Sequence, residues 1–415
     1  MKSNSQVVSN IGVDLMSRNI CALDLGTTKF CLAKAIDSTK KDNNIHISSI
    51  PADGMHRGML RNKDRVVETL QKLIENHENR YHEDIRKVVV GIAGSHLRSH
   101  KVTVTKKIKK STISYSDLIE LKKLTLFQVN SSSREPLDIV PINYAIDSRI
   151  VEQPVGSHGR VLTCESFVVD ADKSYLKDVI DVCNRCGLVI TEFHSEQLAS
   201  ASAILTDNLK SIGCVIIDIG GGTSDGIVFI NNSPQSVFTV NIGGKMMTKD
   251  LSIGLGISIR AAERIKNHLQ QDQEEYSVND IFDREKKITK ADCFQILIPR
   301  IYELASLVNK EIAPIKRLLP GGIILTGGAS QSANITRIFE EICKIPTRCI
   351  MPVFCQQRNA DVATNYSENF PASLSTVLGL LKMHMVTDNF SKNMQSSKWS
   401  TRVIRPIINW IKELY

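Results

Sequence analysis

One stretch of this chain, residues 215–225, combines a carboxylate, glycines and threonine in a spacing that suits phosphate binding. A short apolar strand ends at Asp218, and the turn that follows contains Gly220, Gly221, Gly222 and Thr223. Because glycine has no Cβ, main-chain N–H groups in such a turn can reach phosphate oxygens, and threonine adds a hydroxyl donor. Asp218 would repel a polyanion unless a cation lay between them, which indicates a carboxylate that holds water bound to Mg²⁺. Three glycines alone are equally typical of an ordinary tight hairpin.

The same plan occurs near the start of the chain, which favours the phosphate interpretation. An apolar strand from Ile20 leads to Asp24, and the residues after it include Gly26, Thr27, Thr28 and Lys29. Two turns of this kind predict two similar domains that hold one nucleotide from opposite sides. We place Glu196, at the start of a predicted helix, opposite both turns.

A third glycine turn, residues 321–329, has a different character. Its strand ends in Gly327, Gly328 and Ala329 without a preceding acid, which fits a flat, uncharged group such as adenosine better than phosphate. Gly243 and Gly244 open a helical region in which Glu263 and Lys266 lie one turn apart. That pair could hold ribose or adenine edges, although an isolated pair of this kind is equally typical of a surface ion pair.

The hydrophobic pattern predicts the elements that must position these residues. In the first half we expect strands at 20–24, 45–49 and 88–93 and a helix at 64–76, followed by an inserted α+β subdomain. The insert begins with an edge strand at 101–110, where five lysines alternate with apolar residues. Its other elements are a helix at 116–128, strands at 139–146 and 160–169 and a closing helix from Ser174.

The second half continues the alternation of strands and helices. Strands are expected at 188–193, 226–230 and 237–242, and the helix at 196–205 is rich in small residues that permit close packing. Residues 271–290 are charged and polar, which predicts an exposed excursion. A long helix at 291–319 must be interrupted or kinked by Pro299 and Pro314.

The last thirty residues have a pattern of their own. Residues 386–400 are polar without periodicity, which predicts a linker. The pattern of residues 401–415 predicts an amphipathic helix with one apolar arc and one polar arc that contains basic residues. The apolar arc suits the surface of an anionic bilayer, and docking back onto the protein is the alternative. The predicted membrane residues are Ile404, Ile407, Ile408, Trp410, Ile411 and Leu414.

Composition excludes several other classes. A chain of 415 residues should hold two to four domains, and no run approaches the roughly 18 apolar residues that a membrane span needs. The first twenty residues lack the apolar core of a secretion signal, so we expect a cytoplasmic protein. The net charge of +8 is dispersed, which argues against nucleic acid. Cys183 and Cys186 stand without a second pair, which favours helix packing over a zinc site.

Taken together, the chain resembles the FtsA family of membrane-tethered actin homologues over nearly its whole length. The resemblance is carried by 22–29, 90–96, 154–156, 218–225, 323–329 and the terminal helix. It implies an α/β, actin-like, two-lobed ATPase fold: a duplicated ribonuclease H-like core with a small inserted subdomain and a C-terminal amphipathic helix. Neither the Walker pattern nor the Rossmann glycine pattern is present.

The resemblance also implies domain bounds. Residues 1–18 would be disordered, 19–100 and 188–214 would form the first lobe, and 101–187 would form the insert. Residues 215–242 and 300–385 would form the second lobe, with 243–299 as its own subdomain. The linker at 386–400 and the membrane helix at 401–415 would complete the chain.

What the family implies for function is an ATP- and Mg²⁺-binding protein that forms filaments on the inner face of the cytoplasmic membrane at the division septum. Its partners would be the C-terminal peptide of FtsZ, docked near the start of the long helix, and later division proteins, with slow ATP hydrolysis at most. The phosphate turns and acids would act as described above, Glu263 and Lys266 would contact the nucleoside, and Gly327 and Gly328 would lie against adenosine.

This chain departs from the family pattern at two positions, and other functions share the fold. Gln197 stands where the family has proline, and Lys245 stands where it has an acid, which predicts a positive charge near the cleft. The alternative functions are a pilus-assembly ATPase, a sugar kinase and a chaperone-type ATPase, all of the same superfamily.

Overall fold

The computed structural model describes residues 20–36, 45–271, 273–354 and 368–396. The predictions for residues 1–18 and for the amphipathic helix at 401–415 lie outside the described residues. Within the described ranges the chain forms two five-stranded sheets, a four-stranded sheet in the insert, and helices packed on and between them.

The first sheet begins with three antiparallel strands and a helix. The elements up to residue 92 are β1 Ile20–Leu25, β2 Lys29–Ala35, β3 Ile45–Pro51, β4 Met55–His56, β5 Met59–Leu60, α1 Lys63–Tyr81 and β6 Lys87–Ile92. Helix α1 starts after Asn62, whose side chain accepts a hydrogen bond from the Arg65 N–H, and it ends where His82 adopts a left-handed conformation. The predicted helix is confirmed and is longer at its C-terminal end.

The insert is an antiparallel sheet covered by one helix. Its elements are β7 Arg98–Lys107, α2 Tyr115–Val129, β8 Arg134–Ile146, β9 Arg149–Val151 and β10 Val161–Asp172. The strand order is β7-β10-β8-β9, so the lysine-rich strand lies at an edge as predicted. Val102, Leu121 and Leu162 belong to a separate small core beneath α2.

The helix predicted to close the insert belongs to the first lobe instead. Helix α3 (Lys173–Arg185) buries Leu176, Val179 and Val182 in the core that contains Leu23 of β1 and Leu70 of α1. The insert therefore ends near residue 172, and the predicted bound at 187 is wrong. Helical spacing shows that a segment has an apolar face but does not show which core receives it.

The first sheet is completed after α3. The next elements are β11 Val189–Ser195, α4 Glu196–Ile204 and α5 Asp207–Ile212. The first sheet has the order β11-β6-β1-β2-β3, in which β2 and β3 are antiparallel to their neighbours and β6 and β11 run parallel to β1.

The second sheet repeats this arrangement. Its segment contains β12 Cys214–Ile219, β13 Ser224–Ile230, β14 Ser233–Val240, α6 Gly244–Leu255, α7 Ile259–His268, β15 Glu275–Asn279, β16 Glu285–Thr289, α8 Lys290–Ile312, β17 Ile323–Thr326, α9 Ile335–Cys343 and β18 Thr347–Cys349. The order β14-β13-β12-β17-β18 corresponds strand by strand to the first sheet when that sheet is read from β3 to β11. The predicted duplication is confirmed.

The structure refines two predictions in this half. Residues 271–290 contain the hairpin β15–β16, and most of the described residues of this segment are exposed as predicted, although Tyr276 and Ile288 are buried in the core of the second lobe. Helix α8 continues through Pro299 and changes to a 3-10 helix at Ala313, beside Pro314. The predicted subdomain bound at 299 therefore falls inside one continuous helix.

The chain then returns to the first lobe. After β19 Val353–Phe354 and β20 Glu368–Asn369, helix α10 (Ser375–Ser396) packs on the first sheet, although residues up to 385 were assigned to the second lobe. The predicted linker at 386–400 is helical as far as Ser396. Extending an existing helix is much easier than nucleating one, so a polar segment can continue a helix that its buried first turns anchor.

Helices α4 and α10 lie between the two sheets. Helix α4 packs Ala201 and Ile204 against Ile216 of the second sheet, whereas α10 packs Leu380 in the cluster beneath the first. The two helices approach closely, since a Cβ on Gly379 would overlap the backbone of Ala199. The small residues predicted to permit close packing serve this contact.

Candidate functional site

The two phosphate-type turns have the same hairpin geometry. Asp24 on β1 pairs with Cys31 on β2, and Asp218 on β12 pairs with Asp225 on β13, so each acid faces the residue seven positions further along. Both acids lie at the carboxyl end of the central strand of their sheet. The duplicated fold thus brings two equivalent hairpins to the space between the lobes.

The tips of the two hairpins contact each other. A Cβ built on Gly221 would overlap the Thr28 hydroxyl, and one built on Gly222 would lie 2.7 Å from Thr27 Oγ1. Glycine is therefore required at Gly221 by a close approach as well as by phosphate geometry. The second hairpin is also joined to α6, because the N–H groups of Gly244 and Lys245 donate to the carbonyls of Gly220 and Gly221 at 2.9 and 2.8 Å.

A cleft of about 1030 Å³ runs along this junction. It is as large as the largest pockets that bind small molecules, which span roughly 300–1,000 Å³. Every residue predicted to bind the nucleotide lines the cleft except Gly243, whose backbone packs directly against Gly220 and Gly221. Glu196, predicted opposite both turns, lines it as well.

Four carboxyl groups converge at the base of the cleft. Burial raises the pKa of Asp24 to about 7, with Lys29 lowering it and Asp218 raising it further. Burial likewise raises the pKa of Asp218, and it raises the pKa of Asp225 to about 6. The pKa of Glu196 is raised well above its ordinary value by burial and by the three aspartates. Because their raised pKa values favour the protonated forms, these acids carry less negative charge than four free carboxylates would, and a bound cation would favour their ionised forms.

The helices between the sheets hold Asp218. Its Oδ2 accepts hydrogen bonds from Ser200 on α4 and, at 3.2 Å, from Thr376 on α10. Asp225 accepts from Thr239 at 2.6 Å and from Thr223 at 2.8 Å. Each acid of the second hairpin is thus oriented by hydroxyl groups from neighbouring elements.

Glu196 is positioned by its place at the start of α4. The preceding Ser195 donates its N–H and its hydroxyl to Asp138 on β8 at 2.8 and 2.7 Å. On the other side of Glu196, Gln197 donates to Asp225 at 3.2 Å. The start of α4 is therefore fixed both from the insert and from the second hairpin.

The acid cluster fits a magnesium ion held through water. Carboxylate oxygen is the donor that Mg²⁺ prefers, and this ion usually keeps several waters and binds one or two carboxylates together with substrate phosphates. Among the residues described by the structure, no group of three or more His, Cys, Asp or Glu side chains is arranged to hold a metal directly. The donor chemistry of Asp24 and Asp218 would suit a magnesium ion that they contact through bound water.

Two lysines bring positive charge to the part of the cleft beside the two hairpins. Lys29 on β2 donates to the Ser373 hydroxyl at 3.1 Å. Lys245, in the first turn of α6, donates from Nζ to the main-chain carbonyl of Thr27 at 2.6 Å. Burial lowers the pKa of Lys245, against the opposing influence of Asp53 and Glu263. The positive charge predicted at Lys245 lies between the two hairpins.

The pair on α7, Glu263 and Lys266, also lines the cleft. Lys266 Nζ lies 2.7 Å from Glu263 Oε2 and also donates to Thr248 at 2.8 Å and to the Gly244 carbonyl at 3.3 Å. Burial raises the pKa of Glu263, but the hydrogen bonds from Lys266 and Thr248 lower it more, so the net shift is downward. The pair is thus joined to α6 and to the cleft wall.

The third glycine turn also lies at this cleft. Gly327 has φ +86°, and a Cβ there would overlap Asp218 and lie 2.7 Å from the Ile219 carbonyl. Ala329 packs beside Gly244, where a Cβ would be 3.0 Å away. The missing side chain of Gly327 therefore makes room first for the acid of the second hairpin, a role that the sequence did not indicate.

Comparison with known proteins assigns a family to this arrangement. A family model described as cell division protein FtsA matches residues 215–375, and a model of the SHS2 domain inserted in FtsA matches residues 94–170. The cell division protein FtsA of Neisseria meningitidis is 30% identical over 354 residues, covering 82% of this chain and 85% of that protein. The chain belongs to the FtsA family of cell division proteins. FtsA of Pseudomonas aeruginosa is 27% identical and covers 92% of this chain and 93% of its own length.

Solved structures with the same fold extend the comparison. A PilM–PilN type IV pilus biogenesis complex has a chain that matches with a TM-score of 0.59 at 14% identity, covering 89% of this FtsA-family chain and 99% of that chain. MreB5 of Spiroplasma citri bound to ADP matches with a TM-score of 0.52 at 14% identity, covering 91% and 98%. The fold is thus the two-lobed, actin-like fold with an SHS2 insert.

Several residues of this FtsA-family cleft could not have been found from local motifs. Thr376 reaches Asp218 from α10, 158 positions away, and Ser373 meets Lys29 from the same region. Asp138 reaches the start of α4 from the insert. Asp225 is the last residue of the motif at 215–225, so its position seven residues after Asp218 could have identified it as a residue of the cleft.

No helix in the part of the chain that the structure describes is long and apolar enough to cross a bilayer.

Proposed function

We propose that this FtsA-family protein binds ATP with Mg²⁺ between its lobes and polymerises on the inner face of the cytoplasmic membrane at the division septum. There it tethers FtsZ through the C-terminal peptide of FtsZ and recruits later division proteins. Hydrolysis of ATP is slow at most and subordinate to assembly. The observation that carries the proposal is the meeting of two equivalent acid–glycine hairpins in one cleft of a chain of this family.

The cleft has separate groups for each part of a nucleotide. Main-chain N–H groups of Gly26 and of the glycines at 220–222 bind phosphate oxygens, and Glu263 with Lys266 binds the nucleoside. Asp24 and Asp218 hold the water shell of Mg²⁺, which neutralises phosphate charge when bound. Glu196, whose raised pKa favours a retained proton, donates a hydrogen bond that orients water beside the phosphates.

Calorimetric titration with ATP, ADP and AMP in Mg²⁺ tests the nucleotide part of the proposal. We expect ATP and ADP to bind in a one-to-one ratio and binding to weaken when EDTA removes Mg²⁺. A panel of sugars added to a turnover assay provides the rival test, because acceleration by any sugar supports a kinase. If none of the three nucleotides binds measurably, the proposal is contradicted.

Electron microscopy on a lipid monolayer tests assembly. We expect filaments on monolayers that contain anionic lipid when ATP and Mg²⁺ are present, and few without nucleotide. A fluorescent peptide with the C-terminal sequence of FtsZ should bind the protein with an affinity that a scrambled peptide lacks. If filaments form equally well without nucleotide, assembly does not depend on ATP binding and that part of the proposal is wrong.

The membrane part rests on the sequence of residues 401–415. Replacing Trp410 and Ile411 with glutamate removes apolar area and should release the protein from anionic liposomes in co-sedimentation, with ATP affinity unchanged. The matched control, Asn409→Glu, adds negative charge to the polar arc and should weaken sedimentation much less. Unchanged co-sedimentation of the double variant would falsify the tether.

A further inference from the structure

Lys245 contacts both phosphate-type hairpins at once. It lies in the first turn of α6, where its main-chain N–H donates to the Gly221 carbonyl of the second hairpin at 2.8 Å. Its side chain crosses to the other lobe, where Nζ donates to the Thr27 carbonyl of the first hairpin at 2.6 Å. A single residue thus joins the two turns that face one another across the cleft.

The position of Nζ indicates which part of the cleft it serves. Gly244, one residue earlier, contacts the pair on α7, since Lys266 donates to its carbonyl, and Ala329 packs beside it. Lys245 Nζ instead reaches Thr27, whose hydroxyl approaches Gly222 at the contact of the two hairpin tips. The ammonium group therefore lies at the contact of the two hairpin tips, which the proposed function assigns to the phosphates.

The chemistry of the group suits a phosphate. An ammonium group has three hydrogen-bond donors, and the described residues record one bond, to a neutral carbonyl. Lys245 is exposed as a whole, but its side chain lines the cleft and its hydrogen bond to Thr27 is partly buried, so the ammonium group has exchanged some of its water for protein contacts. A charged donor in such a place gains most from an anionic acceptor, and lysine binds phosphate as a compact point charge.

We propose that Lys245 binds the phosphates beyond the α-phosphate and makes the cleft selective for nucleoside di- and triphosphates over monophosphates. This inference rests on the proposed function, because it concerns the same nucleotide site. Lys245 also keeps its bond to Thr27 when the nucleotide is bound, so the phosphate and both lobes share one cation.

The test is nucleotide affinity in a matched series of lysine variants of the full chain. Lys245→Met keeps the length of the side chain and removes its charge, Lys245→Arg keeps the charge, and Lys287→Met changes an exposed lysine on β16 of the same lobe. Calorimetry with ATP, ADP and AMP in Mg²⁺ gives nine dissociation constants beside those of the unaltered protein. Thermal unfolding of each variant checks that it folds.

We expect Lys245→Met to weaken ATP and ADP binding by roughly tenfold to a hundredfold, the usual value of a hydrogen bond to a charged group, while AMP changes by less than about twofold. Lys245→Arg should retain most of the affinity, and Lys287→Met should match the unaltered protein. Equal weakening of all three nucleotides, or no weakening, overturns the inference. If Lys245→Met unfolds, Lys245→Arg and Lys245→Gln decide on the same criterion.

The failure of this inference is distinguishable from failure of the proposed function. If the unaltered protein binds ATP and ADP but Lys245→Met binds them equally well, only the role of Lys245 is wrong. If the unaltered protein binds none of the three nucleotides, the nucleotide site itself is wrong and the inference falls with it.

Discussion

The two hairpins that meet in the cleft have the same backbone and different side chains. Each follows the central strand of its sheet, and each pairs its acid with the residue seven positions later. The first hairpin carries Thr27, Thr28 and Lys29 after one glycine, whereas the second carries three glycines and a threonine. One turn can offer side-chain hydroxyls and a cation, and the other offers mainly its backbone.

The difference follows from how the two tips fit together. Thr28 occupies the space that a side chain on Gly221 would need, so only one hairpin of the pair can carry side chains at this contact. A duplicated fold thus yields a complementary pair of turns, because two identical hairpins with side chains could not approach so closely. The hairpins also differ in the residue paired with the acid, which is Cys31 in the first and Asp225 in the second.

Filling the glycine-rich turn should have the largest effect. Gly221→Val would drive a side chain into Thr28 and push the hairpins apart, so nucleotide affinity should fall by roughly a thousandfold or more, as three or more lost charge-assisted hydrogen bonds imply. Calorimetry with ATP measures it. Lys287→Met is the control, because this exposed lysine on β16 does not line the cleft and its loss should change ATP affinity little. ATP affinity retained by Gly221→Val would show that the hairpin does not bind phosphate.

The acids should give the next largest effect, as a dependence of stability on pH. The folded pKa of Asp24 is about 7 and its ordinary value is 3.8, so its contribution to stability is full below pH 4 and is lost as pH rises through 7. Without Mg²⁺ and nucleotide, the free energy of unfolding should therefore fall between about pH 4 and pH 7. Asp24→Asn should reduce that fall by at most about 1.4 kcal/mol per pH unit.

The second hairpin offers the comparison for this pH dependence. The folded pKa of Asp225 is about 6. Asp225→Asn should therefore remove a fall in the free energy of unfolding that ends about one pH unit below the fall caused by Asp24. Denaturant unfolding at several pH values measures both variants, and added Mg²⁺ should flatten the curve because a cation favours the ionised carboxylates. Identical pH profiles for the unaltered protein and Asp24→Asn would show that this acid is already ionised in the folded state.

The threonines should give the smallest effect and the sharpest contrast. Thr223 donates its hydroxyl hydrogen to Asp225 at 2.8 Å, whereas Thr27 Oγ1 accepts from the Gly58 N–H at 2.9 Å and keeps its own hydrogen for a ligand. Thr27→Val should therefore weaken ATP binding by about three- to tenfold, and Thr223→Val by less than about threefold. Calorimetry with ATP measures both. If Thr223→Val lost more ATP affinity than Thr27→Val, the hydroxyl of Thr223 and not that of Thr27 would be the donor to the nucleotide.

The sequence alone was sufficient for features that depend on local pattern. Strands that end in an acid and a glycine turn, at Asp24 and Asp218, predicted two equivalent lobes, and the sheets have the same strand order. The helix at 64–76 and the lysine-rich edge strand of the insert were also predicted from spacing. Each of these depends on the period of apolar residues or on the backbone freedom of glycine, both of which are properties of neighbouring residues.

Features that depend on which surfaces meet were decided only by the tertiary structure. Helix α3 was predicted as a helix but assigned to the insert, and α10 was assigned to the wrong lobe, because an apolar face does not name its partner. The same limit hid Thr376, which reaches Asp218 from a distant helix. The local sequence determined the two hairpins, whereas the packing of α4 and α10 between the sheets oriented Asp218, since that orientation comes from residues far apart in the chain.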